Sequence, residues 1–276
     1  MLKISTTSEL IKKREKAKMD MKHSKPLLTD YKKFNAVTHG IKTGQLFVIG
    51  ARPGVGKTTM LINLISSFDK QLNPNEYILF ISLEMTELEI FERLITVTQN
   101  KFNLSEEEAL EKIKNYKLLI FDNFGGNLCT VDVIREIITS LKSEKKIIRS
   151  VFIDYFQILN SELKFTLEHE KLGYISQTLK QLAKHKKVSI VLLAQLKRTV
   201  DSKKTETPTF SDIKGTGAVE QDADIIAFLY DSQSQINKDI TIKSFDVVKN
   251  RNGQLLKSNF LFENNKLTFS EIDNDF

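Results

Sequence analysis

Gly50-Ala51-Arg52-Pro53-Gly54-Val55-Gly56-Lys57-Thr58-Thr59 is the stretch on which the fold turns. The apolar run Leu46-Phe47-Val48-Ile49 precedes it, and the helical pattern Met60-Leu61-Ile62-Asn63-Leu64-Ile65 follows. Strand, glycine-rich turn and helix in that order form the context of a phosphate-binding loop. Successive backbone N–H groups in such a turn aim at one point, and the helix dipole favours negative charge there. Lys57 can reach the outer phosphates, and the Thr58 hydroxyl can ligate a Mg2+ that bridges them. The first glycine slot of the strict pattern holds Ala51, with Gly50 one residue early; a small residue still permits the tight turn. An ordinary glycine turn is the competing explanation. Gly-Lys-Thr-Thr at a strand-to-helix junction, with the correct upstream spacing, argues against it. Residues 51–59 are therefore expected to bind a nucleotide such as ATP.

Downstream, apolar runs alternate with helical patterns. Residues 77–84, 118–122, 150–157, 188–195 and 223–230 are expected as strands, and 86–99, 104–116, 131–144 and 172–186 as helices. Ser105 with Glu106, Glu107 and Glu108 suits a helix start, and Thr130 is the expected cap of another. Gly125-Gly126 stops the strand at 118–122, and 198–217 is a polar, glycine-bearing loop region. Beyond Ile240 the pattern alternates as a meander: 240–248, a turn at Asn252-Gly253, then 260–262 and 267–269. The fold class is α/β, with a mostly parallel central sheet, flanking helices and a C-terminal β meander. Upstream, residues 8–17 are expected as a helix capped by Ser8, with Leu10, Ile11 and Ala17 as a narrow apolar stripe. It is either an arm that docks on a neighbouring subunit or a solvated tail. Residues 26–40 are expected as a connector, so the chain divides into a basic arm over 1–39 and one domain over 40–276.

Composition narrows the class. The 276 residues are 41% hydrophobic and 28% charged, as in a soluble globular protein. No apolar run approaches membrane-spanning length, and residues 1–6 lack the apolar core of a secretory signal. The single Cys129 excludes an intrachain disulfide framework and a cysteine metal cluster. Together these predict a cytoplasmic protein with no membrane partner. The net charge of +6 is compatible with a nucleic-acid partner, although an AT-rich genome gives the same lysine bias.

In open parallel sheets, functional groups gather at the C-terminal strand ends. Gly50, Glu84, Asp154 and Gln195 all fall there. Asp154 is the natural partner for a Mg2+ held through Thr58. Glu84 can orient and deprotonate an attacking water as general base; the alternative is a helix-capping acid. Gln195 carries donor and acceptor atoms, can touch a γ-phosphate and can report its loss.

Six segments then fall in one order: the phosphate loop; Ser82-Leu83-Glu84-Met85; Ile153-Asp154-Tyr155-Phe156-Gln157; Ala194-Gln195-Leu196-Lys197-Arg198; Glu220-Gln221-Asp222-Ala223-Asp224; and Lys249-Asn250-Arg251-Asn252-Gly253. Over residues 40–269 the chain resembles the C-terminal RecA-like motor domain of the DnaB-type replicative helicases. That resemblance implies a RecA-like P-loop NTPase. It also implies a homo-oligomeric, hexameric ring that hydrolyses ATP between subunits and moves along single-stranded DNA, unwinding duplex at a replication fork. By position, Glu84 resembles the catalytic glutamate, Asp154 the Walker B aspartate and Gln195 the γ-phosphate sensor. Lys249 and Arg251 resemble basic fingers that reach the neighbouring subunit's nucleotide. Asp212-Ile213-Lys214-Gly215-Thr216-Gly217 resembles the loop that lines the ring's channel. Lys214 there supplies a phosphate-pairing charge, and Gly215 and Gly217 permit close backbone approach. Arg198 lies where it could couple the ATP state to DNA. The family usually has an acid where Gly215 stands. Its full-length members also carry an N-terminal helical collar that engages primase, whereas residues 1–39 alone precede the motor here, so a short form is expected, with primase or a helicase loader as partner. The alternative function is a RecA-fold ATP switch or accessory protein that binds DNA or another helicase without unwinding. A recombinase filament would need strand-exchange loops and a polymerisation motif, neither of which is identified.

Overall fold

Apolar runs bounded by turn residues become strands in the computed structural model, which describes residues 5–21, 25–122, 129–197, 207–213, 217–236 and 239–272. The strands are β1 (Leu46–Ala51), β2 (Glu76–Ser82), β3 (Leu118–Asp122), β4 (Ile147–Asp154), β5 (Ser189–Gln195), β6 (Ile225–Gln235), β7 (Ile240–Asn250), β8 (Asn259–Glu263) and β9 (Thr268–Glu271). The helices are α1 (Thr7–Met21), α2 (Lys32–Thr38), α3 (Lys57–Ser66), α4 (Glu87–Phe102), α5 (Glu106–Ile113), α6 (Val131–Ser143), α7 (Glu168–Lys186) and α8 (Gly217–Asp222). One sheet joins the strands in the order β3-β2-β4-β5-β1-β6-β7-β8-β9. From β3 to β6 every pairing is parallel; from β6 to β9 every pairing is antiparallel. This is the α/β sheet with a terminal meander that the alternation of patterns leads one to expect.

β1 lies inside the sheet between β5 and β6, and all six of its residues are buried. Its side chains alternate between two cores, as the twofold period of a strand requires. Leu46 and Val48 join the core under α6 and α7, while Phe47 and Ile49 join the core under α2, α3 and the meander. The phosphate loop therefore springs from a strand held on both edges and both faces.

The boundaries differ from expectation at several points. β4 stops at Asp154 and the chain enters a single 3₁₀ turn over Phe156–Ile158, so the strand is shorter than the apolar run. β2 stops at Ser82, which leaves Glu84 in the turn before α4. Thr86 caps α4 in a reciprocal capping box with Glu89, and this box sets the helix start. α1 is capped by Thr6 rather than Ser8. The Glu9 amide donates to Thr6 Oγ1 at 3.3 Å and the Thr6 amide to Glu9 Oε2 at 2.8 Å, so Ser8 falls inside the first turn. The glycines at 125 and 126 lie outside the described residues.

The connector expected over 26–40 is instead built into the core. Leu27 bridges Ile41, and α2 carries Phe34, fully buried, against the rings of Phe47 (5.5 Å) and Phe245 (5.9 Å). Arg149 secures the start of this segment by donating to the Lys25 carbonyl at 2.6 Å while pairing with Glu76 at 2.8 Å. Cys129 is buried, and burial pushes its thiol up to about 11, which keeps it protonated and inert.

In the meander, Tyr230 donates to Asp246 Oδ2 at 2.8 Å and the Ser258 amide to Oδ1 at 3.2 Å. Burial raises the Asp246 carboxyl above its ordinary value of 3.8, and the Tyr230 hydrogen bond, the Ser258 amide and Lys257 oppose that rise. The folded state thus binds the proton more tightly than the unfolded state. The stability from this group is fullest below 3.8 and is lost as pH climbs through the folded value. Asp246→Asn removes that dependence: in urea melts at stepped pH, wild-type stability should fall relative to the variant as pH rises from 3.8 through the folded value. Phe34→Ala should cost about 3–5 kcal/mol in the same melts, because the cavity opens between two rings and a strand that cannot collapse onto it.

Candidate active site

The loop between β1 and α3 has its conformation from glycine. Gly54 (φ 81°) and Gly56 (φ 100°) take left-handed backbone, and Gly56 immediately precedes α3. Gly50 serves another purpose: a Cβ there would lie 2.7 Å from the Phe228 ring, so glycine lets β1 pack against β6. Ala51, in the first glycine slot, is simply the last, buried residue of β1. Arg52, the first residue of the loop, is buried, and Val55 packs into the core.

Lys57 opens α3, and its Nζ lies 3.1 Å from Glu84 Oε2 and 4.6 Å from the centroid of the Tyr155 ring. Thr58 Oγ1 donates to Asp154 Oδ2 at 2.5 Å. Thr59 Oγ1 accepts from Arg93 at 3.4 Å. Glu84 is positioned by a turn in which Ser82 Oγ donates to the Met85 carbonyl at 2.5 Å. The neighbouring Leu83 amide donates to the Asp154 carbonyl at 2.8 Å, tying the ends of β2 and β4 together. The carboxylate of Glu84 is about half exposed, whereas Asp154 is fully buried.

Burial raises the Asp154 carboxyl above the usual carboxylate range. The Thr58 hydrogen bond and the Lys57 charge oppose the rise, while Glu84 adds to it. Among the described residues Asp154 Oδ1 is buried with no hydrogen-bond partner. A buried, unmatched carboxylate oxygen beside a hydroxyl oxygen is a donor set that fits a hard divalent cation such as Mg2+. No cluster of three His, Cys, Asp or Glu forms among the described residues, so such an ion would draw its other ligands from phosphate and water.

Gln195 ends β5 directly opposite Ala51. Its main chain is clamped by Gln157, whose Oε1 accepts from the Gln195 amide at 3.0 Å and whose Nε2 donates to its carbonyl at 3.1 Å. Tyr155, Gln157 and Arg93 are therefore site residues that sequence reasoning missed. Tyr155 and Gln157 stood within a quoted motif without a role. Arg93 sits in mid-helix with no local signal.

The structure does not bring Lys249 and Arg251 to the phosphate loop. Asn250 pairs with Ile225, which pairs in turn with Phe47, near the start of β1. The loop leaves β1 beyond Ala51, four residues along, or roughly 13 Å at strand spacing. The two cations sit at the opposite edge of the sheet. There Lys249 Nζ donates to the Glu220 carbonyl and Arg251 to the Gln221 carbonyl, both in the last turn of α8.

Of the residues expected to meet DNA, Arg198, Lys214 and Gly215 lie outside the described residues. Gly217 is the first residue of α8, with open space where its Cβ would be. The segments flanking the others do meet. Leu196 bridges Ile213, and the Lys197 amide, two residues beyond Gln195, donates to the Asp212 carbonyl at 2.8 Å.

Comparisons with known proteins identify the family and the fold. The replicative DNA helicase DnaB of Mycoplasma genitalium is 34% identical over 264 residues, covering 88% of this chain and 56% of the relative. A probable plasmid replicative DNA helicase of Chlamydia muridarum is 31% identical, covering 89% of this chain and 55% of the relative. The chain thus spans about half the length of the curated relatives it matches. Among solved structures, the ATPase domain of G40P superposes with a TM-score of 0.82 over 98% of this chain and 100% of that one, at 24% identity, a likeness of fold. A DnaB-like replicative helicase, described with its interactions with primase, gives a TM-score of 0.77 at 26% identity, covering 88% of this chain and 63% of that one. No helix among the described residues is long and apolar enough to cross a membrane. The model of the DnaB-like helicase C-terminal domain matches residues 26–271, from the start of the segment carrying α2 to the last strand of the meander, and the chain belongs to that family.

Proposed function

We propose that this chain is the ATP-hydrolysing motor of a ring-forming replicative DNA helicase. The observation that carries it is a divided site. Lys57, Thr58, Asp154 and Glu84 converge at one edge of the sheet, while Lys249 and Arg251 stand at the other. A second copy that presents its far edge to the first completes the site, and hydrolysis then depends on assembly.

Backbone N–H groups of residues 54–59 and the Lys57 ammonium hold the β- and γ-phosphates of ATP. Thr58 and Asp154 hold Mg2+, which when bound offsets phosphate charge. In the structure Lys57 is paired with Glu84. An incoming γ-phosphate competes for the ammonium and frees the carboxylate, which accepts the proton of the attacking water as the bond to the leaving ADP breaks. Gln195, clamped by Gln157, senses the γ-phosphate next to the paired segments that end at Lys197 and Ile213. Lys249 and Arg251 of one subunit stabilise charge developing in the next subunit's site.

Relatives named as replicative DNA helicases support action on DNA. Single-stranded DNA passes through a ring of six copies, against Arg198, Lys214, Gly215 and Gly217, through backbone contacts that ignore base identity. A neighbour described with primase supports primase as a partner, with a helicase loader as the other. The motor takes in residues 26–276, because the segment carrying α2 is built into its core, and the arm is residues 1–25; the work is cytoplasmic.

Turnover of ATP measured against protein concentration, with and without single-stranded DNA, tests the proposal. A steep concentration dependence and DNA stimulation are expected; turnover indifferent to both would replace it with the ATP switch. Lys57→Ala should lose nucleotide binding, whereas Glu84→Gln should bind ATP normally in a fluorescent-nucleotide titration and hydrolyse it about 10²-fold or more slowly. Inactive Arg251→Ala mixed with inactive Glu84→Gln should regain turnover, since one chain supplies the base and the other the finger. A mixture that stays silent while its subunits exchange would overturn the shared site.

A further inference from the structure

Lys249 and Arg251 do not project freely from the far edge of the sheet; they are seated. The seat has two parts. One is the last turn of α8, whose Glu220 and Gln221 carbonyls accept from the two cations. The other is Asp224, almost fully buried just past α8. Its Oδ1 lies 3.7 Å from the Arg251 guanidinium, and its carbonyl accepts from the Arg251 amide at 2.9 Å.

Asp224 is itself anchored from two sides. Its Oδ2 accepts from the Leu46 amide at 2.8 Å and from Lys180 Nζ, which also donates to the Gly44 carbonyl at 2.8 Å. Leu46 is the first residue of β1, the strand that ends in the phosphate loop. Lys180 belongs to α7. The end of α8 is tethered to that same helix by Ser176 Oγ, which donates to Asp222 Oδ2 at 2.8 Å, and Ala218 packs beside Gly173 of α7. The seat is thus part of the rigid frame and not of a surface hairpin.

The electrostatics fit a pair of like charges held against their repulsion. Burial and the neighbouring Arg251 charge both depress the Lys249 ammonium, and Glu220, Asp224 and Asp222 counter them. A solvated turn would need no such arrangement, because two exposed cations would simply separate in water. Arg251 keeps 43% of its side chain exposed while its guanidinium is engaged with the Gln221 carbonyl and lies near Asp224.

We propose that Asp224, with the last-turn carbonyls of α8, is the positioning element that holds Lys249 and Arg251 in register for the neighbouring subunit's nucleotide. This rests on the shared site proposed above, and it adds a residue that acts on hydrolysis in trans without touching either nucleotide.

The test uses mixed assemblies. At a productive interface, a Glu84→Gln chain donates the cations and an Arg251→Ala chain supplies the working nucleotide site. Asp224→Asn keeps the side-chain shape and an acceptor for Leu46 but removes the charge. Placed on the donor chain, it should lower turnover about fivefold or more with the KM for ATP unchanged. Placed on the acceptor chain, it should lower turnover less than twofold. Equal loss in both mixtures would mean a general structural role and overturn the inference, as would no loss in either. If Asp224→Asn does not fold, Ser176→Ala, which removes only the hydroxyl tethering Asp222, carries the same donor-against-acceptor comparison with a smaller loss expected. A silent parent mixture overturns the shared site and this inference together; an active parent mixture whose loss does not follow the donor overturns this inference alone.

Discussion

Thr58 Oγ1 and Asp154 Oδ2 meet at 2.5 Å across 96 residues of chain, and much of the molecule is arranged to keep them there. Thr58 is held by the first turn of α3, which is set by Gly56 and by the buried strand β1. Asp154 is held by β4, between β2 and β5 in the same parallel sheet. The carboxylate is buried where its charge is disfavoured, and one of its oxygens finds no hydrogen-bond partner among the described residues. An unmatched buried polar atom costs the folded state free energy. A cation and a phosphate at this point would relieve that cost, so the same feature that weakens the free domain would make it bind.

Parallel topology explains why the groups at this edge belong together. Strands that run the same way all end on one side, so Ala51 with Gln195, and Ser82 with Asp154 two residues further back, come to the same side of the sheet although they lie far apart in sequence. The antiparallel meander does the reverse. β7 returns beside β6 and delivers Lys249 and Arg251 to the edge where β1 and β6 begin. A sheet that is parallel in one part and antiparallel in the other presents two chemistries on two opposite sides. Under the proposed function the two edges of one copy are the two halves of one head-to-tail interface.

Residues beside the phosphate loop are paired with one another. Lys57 is bound to Glu84 and lies over the Tyr155 ring; Gln195 is clamped through its main chain by Gln157. Both sets of contacts give a charge or an amide a protein partner. Exchange of the Lys57–Glu84 contact for contact with a phosphate changes the environment of a carboxylate that is about half exposed, so the rearrangement needs little movement of the fold.

Local chemistry made a great deal legible from residues alone. The glycine turn between an apolar strand and a helix, the twofold and 3.6-residue periods, and the capping residues Thr130 and Ser105 are short-range features. They carry the α/β class, the phosphate loop and most element positions. The same short range explains the misplacements. The cap of α1 turned on which of Thr6 and Ser8 finds its glutamate, and the end of β4 on where a buried run can no longer pair. What the residues could not show is anything set by distant partners. Phe34 lies in a polar stretch and enters the core only because Phe47 and Phe245 are waiting for it. Gln157 becomes a clamp only beside Gln195, and Asp224 a seat only where β1, α7 and Arg251 converge. Sequence by itself therefore determined which chemical groups the protein carries and the elements on which they ride, because those follow from neighbours a few residues away. Sequence also grouped Thr58, Asp154 and Glu84 at the C-terminal strand ends; only the tertiary structure decided that Thr58 pairs with Asp154, that Lys57 pairs with Glu84, and that Lys249 and Arg251 are seated on α8 and Asp224, because the hydrogen-bonded register of the sheet, and not distance along the chain, sets which side chains meet.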